Sequence, residues 1–301
     1  MAKTYVINCG DQLRIEAEAI TWIEPGDTAK YLGVTHSPWI KKVKYDPTEH
    51  LRSWCSKLGR APLKGRQKLL LLSKHVLPKL RYRLANSDPS KVVLAGLDSV
   101  SREYTKLWMN LSTCVSSAFL HCSVQDGGVG LPSLATEVPL DKIGSMLWLD
   151  GSQDGHVKRL AKAIGIEDEL ETACRRWEIQ RPTKKMRSVV NEIRQKRRVE
   201  WENLGSQGPR GPYWRKCRAS NGWMRRDVLS EGEHTVALQL RTNTYPTREA
   251  MSRGRKGGNV MCRRCGQSVE TLGHITRQCL AVKCNRIKRH NKVCGILVSA
   301  T

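Results

Sequence analysis

The sequence predicts a mainly α-helical protein with a small antiparallel β unit at its N-terminal end and a compact knuckle near its C-terminal end. Three observations carry this. Residues 4–35 alternate apolar and polar side chains in short runs broken by Gly and Pro, the pattern of half-buried strands. After Pro47 the apolar residues fall at spacings of three and four, the period of a helix with one buried face. Finally, Cys262-x2-Cys265-x8-His274-x4-Cys279 packs four soft ligands into 18 residues.

In chain order, Tyr5-Val6-Ile7 and Leu13-Arg14-Ile15-Glu16-Ala17 read as one strand pair, joined through Cys9-Gly10-Asp11. Residues 20–23 and 29–34 read as a second, turning at Glu24-Pro25-Gly26-Asp27. Leu51, Trp54, Cys55 and Leu58 mark a first helix, and Leu69, Leu72, Val76, Leu80 and Leu84 a second that Pro78 should kink or split. Asp88-Pro89 looks like a helix start, with the acid as N-cap and an amphipathic helix of about six turns behind it. The loop Asp126-Gly127-Gly128-Val129-Gly130-Leu131-Pro132 asks for a tight backbone path. Residues 141–204 read as helical again, with breaks near 151–155 and at Pro182, and 205–212 (GSQGPRGP) is the best linker candidate.

The knuckle spacing is a metal-site spacing. Zinc takes about four thiolate or imidazole donors in a tetrahedron, and two cysteines separated by two residues turn inward across one tight turn, which Gly266 suits. The ion then replaces a hydrophobic core. The alternative is a set of buried free thiols, because cysteine also serves as a small core residue. Cys284, His290 and Cys294 lie close enough to compete as ligands, yet only the first quartet forms two compact pairs.

With 301 residues and 39 % hydrophobic content the chain can build at least one real core and is not disordered. Its 52 Lys and Arg face 28 acids, a formal charge of +24, which points to a polyanion as partner. Eleven basic residues and the single acid Glu270 lie between positions 253 and 292, and fourteen basic residues face three acids across 181–226. The second run reads equally as a solvated helix face. The longest aliphatic run, residues 69–72, is far shorter than the roughly 18 residues of a membrane span. No secretory signal opens the chain, and eleven scattered cysteines fit a reducing compartment. The nine tryptophans read mostly as packing anchors, with some able to stack on bases.

Several segments together resemble one family, the reverse transcriptase polyproteins of LINE-type (non-long-terminal-repeat) retrotransposons. The likeness is greatest to the arthropod elements that insert site-specifically into ribosomal RNA genes. Tyr31-Leu32-Gly33-Val34 looks like the strand that closes the polymerase palm; Leu77-Pro78-Lys79-Leu80-Arg81-Tyr82 and the 126–131 glycine loop are similar to thumb landmarks. The most specific likeness is Leu238-Gln239-Leu240-Arg241-Thr242-Asn243-Thr244-Tyr245-Pro246-Thr247-Arg248-Glu249 followed by the knuckle with Glu270-Thr271-Leu272-Gly273-His274-Ile275. The resemblance implies four segments: the end of the palm with its primer grip at 1–47, a helical thumb at 48–140, a basic helical linker at 141–250, and a CCHC zinc knuckle with a basic tail at 251–301.

The departures from the family pattern define the expected activity. A reverse transcriptase holds two metal ions on paired aspartates, and this chain contains no Asp-Asp pair. The palm's catalytic part is expected upstream, and the endonuclease beyond the 22 residues that follow Cys279. The chain thus reads as a C-terminal-side fragment of an RNA-directed DNA polymerase and endonuclease, with no catalytic residue of its own. Mg2+ would serve only the parent enzyme. Its partners would be RNA template and target DNA, with no membrane and no small-molecule substrate, and the resemblance implies a nuclear location. Arg263, Arg264 and Arg277 in the knuckle, Arg241 and Arg248 before it, and Lys79 and Arg81 in the thumb are the expected nucleic-acid contacts. Lys64, Arg66, Lys68, Lys74 and Arg83 accompany them. Gly33 reads either as backbone close to the primer terminus or as a plain turn glycine, and Trp39 as a packing anchor. Two other readings are a self-standing zinc-knuckle nucleic-acid-binding protein derived from such an element, and a zinc-stabilised scaffold for acidic protein partners.

Overall fold

The structure, a computed structural model, describes residues 5–7, 14–15, 18–19, 21–23, 27–31, 33–37, 45–182, 186–224, 228–253 and 258–299. Strands β1 (Tyr5–Ile7), β2 (Arg14–Ile15), β3 (Glu18–Ala19), β4 (Thr21–Ile23), β5 (Ala29–Tyr31) and β6 (Val34–His36) come first. Helices follow: α1 (Thr48–Arg60), α2 (Gly65–Leu71), α3 (Leu77–Ala85), α4 (Lys91–Trp108), α5 (Ser117–His121), α6 (Leu134–Asp150), α7 (Gly155–Ala163), α8 (Ile166–Trp177), α9 (Met186–Glu202), α10 (Gly211–Lys216), α11 (Glu231–Arg241), α12 (Arg248–Ser252) and α13 (Lys283–Ser299). The mainly helical class stands. Two compact units divide the chain: residues 1–108 with 130–196, and residues 109–129 with 197–301.

The strand pairing corrects the sequence reading. β1 pairs in parallel with β4, while β2 with β3 and β5 with β6 form short antiparallel hairpins. A parallel pair needs a crossover connection, and the β2–β3 hairpin lies within it. The last hairpin, β5 with β6, turns at Gly33, whose φ of +80° is the left-handed conformation of a tight turn. Glu24, Pro25, Gly26, Leu32 and Trp39 lie outside the described residues.

In the first unit the leucine period works as predicted. Leu51, Cys55, Leu72, Leu80, Leu84 and Leu97 are buried, joined by Leu77 and Leu94, as α1 and α6 pack on α4 and α3 packs on α6. A single π-type turn, Leu72–Val76, joins α2 to α3, placing Pro78 in the first turn of α3, where a missing N–H leaves no gap. The predicted cap at Asp88 is corrected. Ser90 Oγ accepts from Val93 N at 3.1 Å and starts α4, whereas Asp88 pairs with Arg176 and Lys142. Asp98, 3 % exposed, caps α6 from α4: it accepts from Ser133 Oγ at 2.6 Å, Leu134 N at 2.7 Å and Ala135 N at 3.3 Å. Ile143, Leu170, Ala173 and Cys174 form a second core between α6 and α8.

In the second unit the tryptophan Trp201 is fully buried against Phe119, the chain's one phenylalanine, with ring centroids 5.3 Å apart. The predicted linker at 205–212 is instead a packed turn. Gly208 N donates to Leu204 O at 2.8 Å, and a Cβ at Gly208 would sit 2.1 Å from Trp201 O. Gln207 accepts from Ser116 N at 2.9 Å and donates to Cys114 O at 2.7 Å. Glycine and proline here allow close approach, not slack.

Candidate metal centre

The second unit brings Cys262, Cys265, His274 and Cys279 together. Met261 bridges to Val269 in antiparallel fashion, and Cys262 N donates to Ser268 O at 2.7 Å. Gly266, at φ +68°, closes the turn by donating its N–H to Cys262 O at 2.8 Å. The second pair comes from a one-turn π-type helix, His274–Gln278, in which Cys279 N reaches His274 O at 2.8 Å. Thr271 Oγ1 accepts from His274 N at 3.0 Å and sets its entry.

The four ligand atoms lie within 4.8 Å of one another. Cys262 Sγ and Cys279 Sγ are 3.9 Å apart, and Cys265 Sγ is 3.3 Å from His274 Nε2. A tetrahedron with metal–sulfur arms of about 2.3 Å and a metal–nitrogen arm of about 2.0 Å has S–S edges near 3.8 Å and S–N edges near 3.5 Å. These two edges are close to that size, so the quartet could hold a metal ion, with Cys262, His274 and Cys279 buried around it. Backbone N–H groups of Cys265 and Arg264 pull the Cys262 thiol down to about 6, while burial pushes that of Cys279 up. A thiolate at Cys262 with the Cys279 sulfur 3.9 Å away favours a cation between them. Cys284, His290 and Cys294 lie on exposed stretches of α13, with Cys294 Sγ 3.4 Å from His290 Nε2, and take no part in the quartet.

Glu270, the acid that the basic run surrounds, is the hinge pin of the knuckle. Only 1 % exposed, it accepts from Arg263 N at 2.7 Å and Arg248 N at 3.0 Å, and pairs with the Arg263 guanidinium. That guanidinium holds its carboxyl well below the usual range, at about 2. Arg248 Nη1 donates to Met261 O at 2.9 Å, and Arg263 Nη2 to Pro246 O at 2.9 Å. The charge count hinted at this role, since one acid among eleven bases has many partners.

The predicted nucleic-acid contacts separate into two groups. Arg264 and Arg277 are exposed beside the metal ligands. Lys79 is exposed too, 5.3 Å above the Trp54 ring. Arg248 and Arg263 are tied into the knuckle as described. Arg81 forks onto Asp141 and donates to Glu137 at 2.7 Å, and Lys68 Nζ donates to Gly59 O at 2.7 Å. Arg241 needs correction as a surface contact: it is 5 % exposed, donates to Gly127 O at 2.9 Å and Asn221 Oδ1 at 2.8 Å, and lies 4.3 Å from Trp214 and 5.1 Å from Trp223. Two indole faces and two carbonyl acceptors make a better partner set than a phosphate in water.

No protein-family model matches the chain. Curated relatives do. It is 28 % identical over 284 residues to the "Retrovirus-related Pol polyprotein from type-2 retrotransposable element R2DM" of Drosophila melanogaster, covering 89 % of this chain and 25 % of that protein. Against the Pol polyprotein from "type-1 retrotransposable element R2" of Bradysia coprophila it is 26 % identical, covering 95 % of this chain and 32 % of that one. A Pol polyprotein of the same type from Popillia japonica is 27 % identical, with 81 % and 52 % covered. The chain is similar to a segment of R2-type LINE polyproteins. It spans about a quarter to a half of the R2 relatives named here. Among the described residues no helix is long and apolar enough to cross a membrane.

Proposed function

We propose that this chain is the part of an R2-like polyprotein that grips nucleic acid, with the quartet holding a structural zinc ion and no polymerase or nuclease chemistry in these residues. The observation that carries the reading is the convergence of Cys262, Cys265, His274 and Cys279 within 4.8 Å of one another, with Arg264 and Arg277 exposed beside them. Three sulfurs and one imidazole favour zinc over hard cations. When bound, zinc supplies order, because metal binding and folding are one equilibrium in so small a module.

The residues do the recognition. Arg264 sits between the first ligand pair and Arg277 between the second, so the fold of the knuckle fixes both and leaves their guanidiniums free to fork onto phosphates. Lys79 adds a phosphate contact on α3, within the thumb-like segment 48–140. The segment 1–47 is assigned to the end of the palm, 141–250 to the basic linker and 251–301 to the knuckle and tail. RNA template and target DNA are the proposed partners and the nucleus the place of action; Mg2+ would belong to catalytic parts of the polyprotein outside these residues.

The test is an anisotropy titration of labelled RNA and duplex DNA across a salt series. Affinity should fall linearly in log–log form, with Arg264→Ala and Arg277→Ala each lowering the slope by about one. Salt-independent binding contradicts the reading. Template-dependent nucleotide incorporation by the purified chain would contradict its non-catalytic part.

A further inference from the structure

The first unit carries an open groove of about 1010 Å³ lined by α3, α6 and the start of α9, which the knuckle reading leaves unused. Two large rings border it, Tyr82 on α3, 48 % exposed, and Trp148 on α6, 68 % exposed. A tryptophan so bare on an otherwise packed helix is the kind of exposed apolar surface that marks a binding site. Pro78 and Leu140 line the groove, and Arg194 of α9 stands exposed beside it. The acids along it are engaged: Arg81 forks onto Asp141 and donates to Glu137 at 2.7 Å.

We propose that this groove receives unpaired bases of a single-stranded nucleic acid, which stack on Trp148 and Tyr82 while neighbouring phosphates meet Arg194. The proposal rests on the nucleic-acid reading above and adds a second site, selective for single strands. The chemistry favours this occupant over an apolar protein segment on two counts. A formal charge of +24 draws a polyanion to the chain, and the acids of the groove are paired with Arg81 rather than set against phosphate. A base face is available to an indole only where the strand is unpaired, so a duplex cannot use the site without unstacking. The volume lies at the upper end of small-molecule sites, roughly 300–1,000 Å³, ample for more than one base.

The test uses the full chain with a labelled single-stranded RNA and its duplex of equal length. Trp148→Ala should weaken single-strand binding by about 5- to 20-fold, with Tyr82→Leu acting in the same direction and Trp148→Phe recovering most of the loss. Duplex affinity should stay within about twofold in all three, since stacking contributes nothing to it. Both side chains are exposed, so melting should not change. Photocrosslinking from a thiouridine-bearing strand should mark the peptide that contains Trp148. Unchanged single-strand affinity in Trp148→Ala, the outcome if the groove instead takes a protein segment, overturns the proposal while duplex binding upholds the broader reading. Equal loss on strand and duplex also overturns it. If the wild-type chain binds neither nucleic acid, the broader reading fails first and the groove proposal falls with it.

Discussion

Replacing Arg241 with methionine should destabilise the second unit by about 3 kcal/mol, because this arginine is part of the core. Burial pulls its guanidinium well below the usual arginine range, to about 10, and at about 1.4 kcal/mol per pH unit that desolvation costs about 3 kcal/mol. Against it stand two hydrogen bonds from a charged donor, to Gly127 O and Asn221 Oδ1, at about 1.5–3 kcal/mol each. The faces of Trp214 and Trp223 add about 1–2 kcal/mol each. Taken from the low ends to the middles of these ranges, the balance favours the folded arginine by about 2–4 kcal/mol. Methionine fills part of the volume but leaves both oxygens without a donor, so the loss should be of that size. Urea denaturation followed by tryptophan fluorescence measures it, and at about 2–4 °C per kcal/mol the melting point should fall by about 6–12 °C. A variant within about 0.5 kcal/mol of wild type that nevertheless loses nucleic-acid affinity would refute the packing role and restore Arg241 as a surface contact.

Asp98→Ala should cost about 2–4 kcal/mol in chemical denaturation, since it strips a buried hydroxyl and two N–H groups at the start of α6 of their acceptor; a loss below about 1 kcal/mol would show that water replaces it. Gly208→Ala should lose more than about 2 kcal/mol, because its Cβ would meet Trp201 O at 2.1 Å. Gly205→Ala, with no atom within 4 Å of its Cβ, is the control and should change stability by less than about 0.5 kcal/mol. Glu270 titrates near 4.5 in the unfolded chain and about 2 in the folded one. Its carboxylate thus stabilises the fold above about pH 4.5 and loses that contribution as pH falls through about 2. The stability gap between wild type and Glu270→Gln should be flat from neutral pH to about 5 and close below it; a gap independent of pH would contradict the Arg263 pairing.

The knuckle was legible because ligand spacing is itself a geometric statement: two residues between Cys262 and Cys265 fix a turn, whatever surrounds it. The helices were legible for a related reason, as Leu51, Cys55, Leu72, Leu80 and Leu84 recur at the helical period and are all buried. Where two local signals competed, tertiary contacts decided. Asp88 is as good a cap by type as Ser90, yet Arg176 and Lys142 draw it away. Long-range partners left little trace in the sequence. Nothing near Tyr5 marks Thr21 as its parallel neighbour, and a Gly-Pro run looks alike whether it is slack or pressed against Trp201. Charge was the least decisive signal, since Arg241 and Arg277 look alike in sequence but one is packed between indoles and the other is exposed.

The central claim is that a metal ion orders the segment that grips nucleic acid, and metal analysis of the full chain with X-ray absorption tests it most directly. The account predicts one zinc per chain with three sulfurs at about 2.3 Å and one nitrogen at about 2.0 Å, and loss of both the metal and nucleic-acid affinity in Cys262→Ser. A chain that binds RNA and DNA without metal, or a Cys262→Ser variant that keeps its zinc and its affinity, would contradict it.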